Sequence, residues 1–288
     1  MICPHLTRSF KCTLVAALLF ASWDTWATVP AATAQRVAGT ATAPLDPATN
    51  PSNRPNTAVI PVPQAANMER TFPQKHAANV ARAKQGNIDL LFVGDSIMQG
   101  WTSDGDWGKA VYDKYYASQY NVADFGIGYN RTQHVLWQFA NGEGEGFQPK
   151  VIEYLLGTNN IGNNTDAEII AGEKAVIDDM RKRFPDARIL MLGIFPRGTP
   201  SDPARKSITA INAALEKMAD GQHLFYLDIG KSFLNDDGTT NDGLKADRLH
   251  PSAKGYQAWA DAVKPTLDKL LKDAGVSPKA AATLPGNP

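Results

Sequence analysis

The sequence contains few cysteines, no excess of charge of either sign and no apolar run long enough to cross a membrane. Both cysteines, Cys3 and Cys12, lie close to the N-terminus. The remainder of the chain therefore excludes cysteine catalysis, a disulfide framework and a thiolate metal site. Lysine plus arginine and aspartate plus glutamate each number 29, so the composition gives no indication of nucleic acid or an anionic membrane surface as a partner.

Motifs for nucleotide and metal binding are missing as well. The sequence has no Walker A motif, no G-x-G-x-x-G run and no clustered set of histidine, aspartate and glutamate ligands. We therefore expect neither a metal nor an organic cofactor. The G-x-S-x-G elbow of the α/β-hydrolases is also absent, because Met98 stands where its second glycine would follow Ser96.

The N-terminus has the pattern of a secretory signal. Arg8 and Lys11 precede a short apolar segment, and Ala32-Thr33-Ala34 supplies an A-x-A cleavage site. We assign residues 1–34 to a signal peptide that is cleaved after Ala34. The expected product is a secreted or periplasmic protein without an integral membrane segment.

The rest of the chain divides into a linker, one domain and a tail. Residues 35–70 are rich in alanine, proline and threonine and are predicted to be a disordered linker, and residues 275–288 are predicted to be a flexible tail. In residues 71–274 strands alternate with helices, which implies a parallel sheet with helices on both faces. Strands are expected at residues 90–93, 121–127, 150–156, 188–195 and 223–229, and helices at residues 75–85, 132–139, 166–184, 203–219 and 256–271.

Ser96 directly follows the first predicted strand. Residues 90–93 form an uninterrupted apolar run, Gly94 ends it, and Asp95 and Ser96 suit the N-terminus of a helix. In an open α/β sheet this places the hydroxyl in the crevice at the carboxyl ends of the strands, where ligands bind. On its own, the pattern is equally that of an ordinary capped turn between a strand and a helix.

A serine hydroxyl needs an adjacent base to become a good nucleophile. His250 can supply that base, and Asp247, three residues earlier in the chain, can hold the imidazole in the required tautomer. Asp220 and His223 have the same spacing, but they connect the end of a helix to the start of the fifth predicted strand, on the opposite edge of the sheet from Ser96. We therefore assign Ser96, Asp247 and His250 as the catalytic residues.

Four blocks of sequence, in this order, resemble the SGNH (GDSL) hydrolase superfamily, and above all those members that are similar to the platelet-activating-factor acetylhydrolase catalytic subunits. The blocks are residues 93–96, residues 125–128 with 132–137, residues 157–160 and residues 247–250. The resemblance implies a three-layer α/β/α sandwich with a five-stranded parallel, flavodoxin-like sheet. It also implies ester hydrolysis by the three assigned residues.

The resemblance further implies an oxyanion hole made by the backbone N–H groups of Ser96 and Tyr129 and the side-chain amide of Asn159. The family usually has a glycine at the position of Tyr129. Tyr129 can still supply its N–H if its backbone angles are compatible, but its ring would crowd the pocket. Five further residues are assigned to substrate binding: Asp95, Gly128, Asn130, His134 and Arg197. For His134 a supporting position on its helix, and for Arg197 a solvated loop position, stay open.

The sequence thus predicts a serine esterase that hydrolyses short-chain esters, with acetyl as the expected acyl group, on carbohydrate or lipid. No nucleic acid partner is expected, and the sequence leaves the oligomeric state open. The alternative is a non-catalytic glycan- or lipid-binding module on the same fold. A ring of Tyr129 that blocked the pocket would favour this alternative.

Overall fold

The computed structural model describes residues 54–279. The predicted signal peptide, residues 35–53 of the predicted linker and residues 280–288 of the predicted tail lie outside the described residues. Within residues 54–279, no helix is both long and apolar enough to span a membrane.

One sheet of five strands organises the described chain. Its order is β2-β1-β3-β4-β5, and all neighbouring strands run parallel. Parallel strands require crossover connections, which the helices between them provide. The strands are β1 (Leu90–Gly94), β2 (Val122–Asp124), β3 (Val151–Leu155), β4 (Arg188–Leu192) and β5 (Leu224–Leu227).

Helices cover both faces of this sheet. Alternate residues of a strand point to opposite faces, so Leu91 and Val93 of β1 join one apolar core, while Leu90 and Phe92 join the other. The helices are α1 (Phe72–Lys84), α2 (Ser96–Gln99), α3 (Lys109–Tyr112), α4 (Thr132–Gln138), α5 (Asp166–Arg183), α6 (Pro203–Glu216) and α7 (Ala253–Asp273). Helices α4, α5 and α6 contribute to the first core, and α2, α3 and α7 to the second. The predicted three-layer α/β/α sandwich with a five-stranded parallel sheet is confirmed.

The N-terminal segment, residues 54–70, is part of the folded body. Asn56 caps a 3₁₀ turn (Thr57–Val59), and Ala58 within it is fully buried. The hydroxyl of Thr132 donates to the Ala58 carbonyl at 2.7 Å, and Asn56 donates to the carbonyl of Glu168 at 3.2 Å. The prediction of a disordered linker is therefore wrong for residues 54–70. Polar contacts with distant residues hold this segment, and such contacts leave no apolar periodicity in the sequence.

The first residues of the predicted tail are also attached to the fold. The N–H of Val276 donates to the Leu271 carbonyl at 2.9 Å, and Nζ of Lys279 donates to the Tyr120 carbonyl at 2.7 Å. The prediction of a flexible tail therefore does not hold for residues 275–279.

Candidate active site

Ser96 lies at the first position of α2, immediately beyond β1. The turn between them is tight because Gly94 packs against the neighbouring strand: a Cβ on Gly94 would lie 2.3 Å from the Leu155 carbonyl oxygen. Asp95 caps α2 by accepting a hydrogen bond from the Ile97 N–H at 2.9 Å. The local sequence therefore fixes the serine at the carboxyl edge of the sheet.

The hydroxyl of Ser96 meets the imidazole of His250 there. Ser96 Oγ lies 2.8 Å from His250 Nε2, and His250 Nδ1 lies 2.7 Å from Asp247 Oδ2. The structure thus joins the three residues that the sequence assigned to catalysis. With Nδ1 protonated and donating to Asp247, Nε2 is free to accept the serine proton.

The loop that carries His250 is shaped by Asp247 itself. Asp247 Oδ1 accepts from the backbone N–H groups of Leu249 (2.9 Å) and His250 (3.0 Å), and Arg248 between them has a positive φ of 54°. Although burial raises the pKa of Asp247, the hydrogen bonds from His250 and Leu249 lower it below its ordinary value. Asp247 is therefore ionised at neutral pH, where it can accept the hydrogen bond from His250.

Trp107 packs against the ring of His250, with the ring centroids 5.5 Å apart in an edge-to-face arrangement. Nζ of Lys245 lies 3.1 Å from the centroid of the Trp107 ring, which is a cation–π contact. Sequence reasoning did not select either residue, because neither carries a motif. Lys245 belongs to the same loop as His250, with its N–H donating to the His250 carbonyl at 2.8 Å, whereas Trp107 comes from a distant part of the chain.

The alternative pair, Asp220 and His223, is remote from this site. Asp220 Oδ1 accepts from three successive backbone N–H groups, those of residues 222–224, and Oδ2 pairs with Arg181 at 3.2 Å. The pair precedes β5, whereas Ser96 follows β1, so the two lie at opposite ends of a parallel sheet.

Asp95 and Asn159 connect the serine turn to the loop after β3. Nδ2 of Asn159 donates to Asp95 Oδ2 at 3.3 Å and to the Asn130 carbonyl at 3.0 Å. Asp95 is fully buried, and this burial raises the pKa of its carboxyl to about 7, although the Ile97 N–H and the charge of Arg197 act in the opposite direction. Asp95 thus serves as a helix cap and a partner of Asn159, and it has no surface to offer a substrate.

Arg197 lies behind this loop. Its Nη1 donates to both the carbonyl and the hydroxyl of Thr158, at 3.0 Å each. Its own carbonyl accepts from Nε of Arg205 at 2.6 Å. Arg197 is therefore not a solvated loop arginine, and its contacts do not direct it toward a substrate. It holds Thr158, the residue before Asn159.

Gly128 and Tyr129 form the middle of a turn between β2 and α4. The Asn130 N–H donates to the Ile127 carbonyl at 3.1 Å, and Tyr129 has a φ of 61°. A positive φ at the third of four turn residues is the mark of a type II turn, where glycine is favoured. Tyr129 therefore adopts a backbone conformation that favours glycine, and with 57% of its surface exposed it is one of the few large hydrophobic side chains in the described chain that face solvent.

The structure gives Asn130 and His134 supporting positions, which corrects their assignment to substrate binding. Asn130 is fully buried, and its side chain donates to the Gly94 carbonyl (3.0 Å) and to Gln138 (2.9 Å). His134 is 3% exposed, and its Nδ1 accepts from the Arg131 N–H at 3.1 Å, which caps α4. Burial and the charge of Arg131 lower the pKa of His134 to about 4, so the ring is neutral at pH 7.

The chain matches a known family and resembles known structures. Residues 92–258 match the GDSL-like Lipase/Acylhydrolase family. Platelet-activating factor acetylhydrolase IB subunit alpha1 of Bos taurus is 32% identical over 223 residues, which cover 77% of this chain and 91% of that protein.

Two solved structures share the fold. A candidate platelet activating factor from Streptococcus pneumonia has a TM-score of 0.58 at 20% identity, covering 69% of this chain and 93% of that one. A candidate acylhydrolase from Bacteroides fragilis has a TM-score of 0.54 at 18% identity, and the match covers 73% of this chain and 100% of that one. The predicted resemblance to the SGNH hydrolases is confirmed: the chain belongs to the GDSL-like lipase/acylhydrolase family and is a hydrolase of carboxylic esters.

Proposed function

We propose that Ser96 is the nucleophile of this esterase, His250 its general base and Asp247 the group that orients His250. The continuous hydrogen-bonded relay from Asp247 through His250 to Ser96 carries this proposal. His250 takes the hydroxyl proton as Ser96 attacks the ester carbonyl, and the leaving alcohol then receives that proton. Water, deprotonated by the same imidazole, releases the acyl group from Ser96 and regenerates the enzyme.

The negative charge of the tetrahedral intermediate would be held by the N–H groups of Ser96 and Tyr129 and by the amide of Asn159. Two observations support this arrangement. The Tyr129 N–H has no hydrogen-bond partner among the residues that the structure describes, and the Asn159 amide donates to Asp95, the residue before Ser96, through a long hydrogen bond of 3.3 Å that it would exchange for the oxyanion. Each such donor is worth on the order of 10²–10³ in rate when it is aimed at the oxyanion.

The proposed substrates are short-chain esters, with acetyl as the acyl group, of a carbohydrate or a lipid. The name of the Bos taurus relative, an acetylhydrolase, supports a small acyl group. We further propose that the protein acts outside the cytoplasm, in the periplasm or after secretion. The charged, apolar and A-x-A pattern of residues 1–34 supports export.

Hydrolysis of p-nitrophenyl acetate by the purified protein tests this proposal. The Ser96→Ala variant is expected to lose nearly all turnover, whereas Ser118→Ala, a remote exposed serine, is expected to retain it. A fluorophosphonate probe should label the wild-type protein once, at Ser96. Full activity in Ser96→Ala would refute the assignment, and faster hydrolysis of hexanoate than of acetate esters would refute the acetyl preference.

A further inference from the structure

Gln64 lies in the N-terminal segment and reaches the turn that carries Tyr129. It is 7% exposed, and its Nε2 donates to the Gly128 carbonyl at 2.8 Å and to Asn130 Oδ1 at 2.7 Å. Its Oε1 accepts from the Glu69 N–H at 3.3 Å. Both protons and the oxygen of this amide are thus engaged, so its orientation is fixed by three partners.

The Gly128 carbonyl and the Tyr129 N–H belong to the same peptide unit. A trans peptide is planar, and its C=O and N–H point in opposite directions. The described chain has no cis peptide bond. A hydrogen bond that holds the Gly128 carbonyl toward Gln64 therefore directs the Tyr129 N–H away from Gln64, to the other side of the turn.

This peptide has a second orientation that would suit tyrosine better. Rotation of the central peptide of a four-residue turn converts type II into type I, in which the third residue has a negative φ that any L-amino acid adopts. Tyr129 is instead held at φ 61°, where a side chain is disfavoured. A glycine at this position would adopt either form without strain. Tyrosine is strained in type II, so an added contact must stabilise that form.

A second contact holds the same turn from the end of α2, and Lys75 of α1 supports it. The Gly128 N–H donates to Gln99 Oε1 at 2.9 Å, and Nζ of Lys75 donates to that same oxygen at 2.7 Å. A Cβ on Gly128 would lie 2.9 Å from Glu69 Oε2, so a side chain there would have to displace the end of the Glu69 side chain. Gly128 therefore forms hydrogen bonds at both its N–H and its carbonyl, and within residues 54–279 only Gln64 forms a hydrogen bond with the peptide unit that includes the Tyr129 N–H.

We propose that Gln64 is a positioning residue of the active site: by binding the Gly128 carbonyl it selects the turn in which the Tyr129 N–H faces the oxyanion. This rests on the proposed function of Ser96 and Tyr129. It assigns a role in the reaction to a residue that precedes the family match at residues 92–258. The N-terminal segment would thus complete the active site of a chain whose turn has tyrosine in place of glycine.

Steady-state kinetics of Gln64→Met tests this inference, because methionine keeps the side-chain length and removes both donated hydrogen bonds. We expect kcat for p-nitrophenyl acetate to fall by about tenfold or more and KM to change little, since an oxyanion donor acts in the transition state. Inhibition by a trifluoromethyl ketone, which forms an oxyanion on Ser96, should weaken by a similar factor. The isosteric Gln64→Glu, which cannot donate when ionised, is expected to behave alike.

Asn56→Ala is the matched control, because Asn56 lies in the same segment and donates to the Glu168 carbonyl, away from the turn. It should lower the melting temperature and leave kcat unchanged. Tyr129→Gly introduced into Gln64→Met should restore much of kcat, since glycine accepts the positive φ without an added contact. This rescue would not occur if Gln64 only stabilised the fold.

Three results would overturn the inference: unchanged kcat in both Gln64 variants, an equal fall of kcat in Asn56→Ala, or absence of rescue by Tyr129→Gly. If one of the two Gln64 variants does not fold, the other gives the same comparison of kcat and inhibition. Ser96→Ala separates this inference from the proposed function. An active Ser96→Ala would reject the proposed function, whereas an inactive Ser96→Ala together with fully active Gln64 variants would reject the role of Gln64 alone.

Discussion

The indole N–H of Trp259 donates a hydrogen bond to Glu153 Oε1 at 2.8 Å, between α7 and the middle of β3. Glu153 is fully buried, and among the described residues its Oε2 has no hydrogen-bond partner. Burial raises the pKa of Glu153 to about 8, and the Trp259 hydrogen bond opposes this only in part. The carboxyl is therefore largely protonated at neutral pH, and the interior of the sheet contains a neutral acid.

Glu153 makes the stability of the fold depend on pH. Its pKa is higher in the folded than in the unfolded chain, so the folded state binds the extra proton and loses stability as the pH rises from about 4.5 toward 8. Glu153→Gln keeps an oxygen for Trp259 and removes this loss. We expect the melting temperature of Glu153→Gln to exceed that of the wild type by several degrees at pH 8.5, and the difference to shrink toward pH 5.

Melting curves across pH 5–9 measure this difference, with Glu145→Gln, an exposed glutamate, as the control. The control should follow the wild type at every pH. A constant difference between Glu153→Gln and wild type over the whole range would contradict a buried, titrating Glu153.

Asp247→Asn tests how far His250 depends on its partner. Asparagine can still accept from the Leu249 N–H, but it can present an amide to Nδ1 and so favour the wrong imidazole tautomer. We expect kcat to fall by a factor on the order of 10²–10⁴ with the fold intact. Asp220→Asn, in the pair with the same spacing, should leave kcat unchanged. Comparable losses in the two variants would show that the fall does not come from His250.

Tyr129→Gly tests the backbone strain of the turn. A non-glycine residue at φ 61° costs roughly 1–2 kcal/mol, so the glycine variant should gain about 1 kcal/mol in the free energy of unfolding. Tyr129→Ala has the same φ requirement and loses the same exposed ring, and it is expected to give no such gain. Urea denaturation of the three proteins provides the comparison. Equal stability of the glycine and alanine variants would mean that the turn carries no strain.

Several features could be predicted because the residues that specify them are neighbours in the chain. The alternation of apolar runs and amphipathic segments indicated the α/β/α sandwich. Gly94, Asp95 and Ser96 are contiguous, and Asp247 lies three residues before His250, so each half of the relay forms within a single turn. The family pattern then related the two halves, whose contact joins residues 154 positions apart.

Other features lay outside the reach of sequence reasoning. Asn130, His134 and Arg197 have the chemistry of binding residues, and only their hydrogen bonds with the protein show that they support the loops. Residues 54–70 have the composition of a linker, yet a few polar contacts with distant residues hold them in place. Composition does not record such contacts.

The sequence by itself determined the order of the strands and helices, the turn that presents Ser96 and the pairing of Asp247 with His250, since each depends on apolar periodicity or on residues within one turn. Only the tertiary structure decided that Gln64 meets Gly128 and that Trp259 meets Glu153, contacts that join positions 64 and 106 residues apart. The physical reason is that a buried polar group needs a partner of matching geometry, and the folded chain, unlike the linear one, specifies which distant residue supplies it.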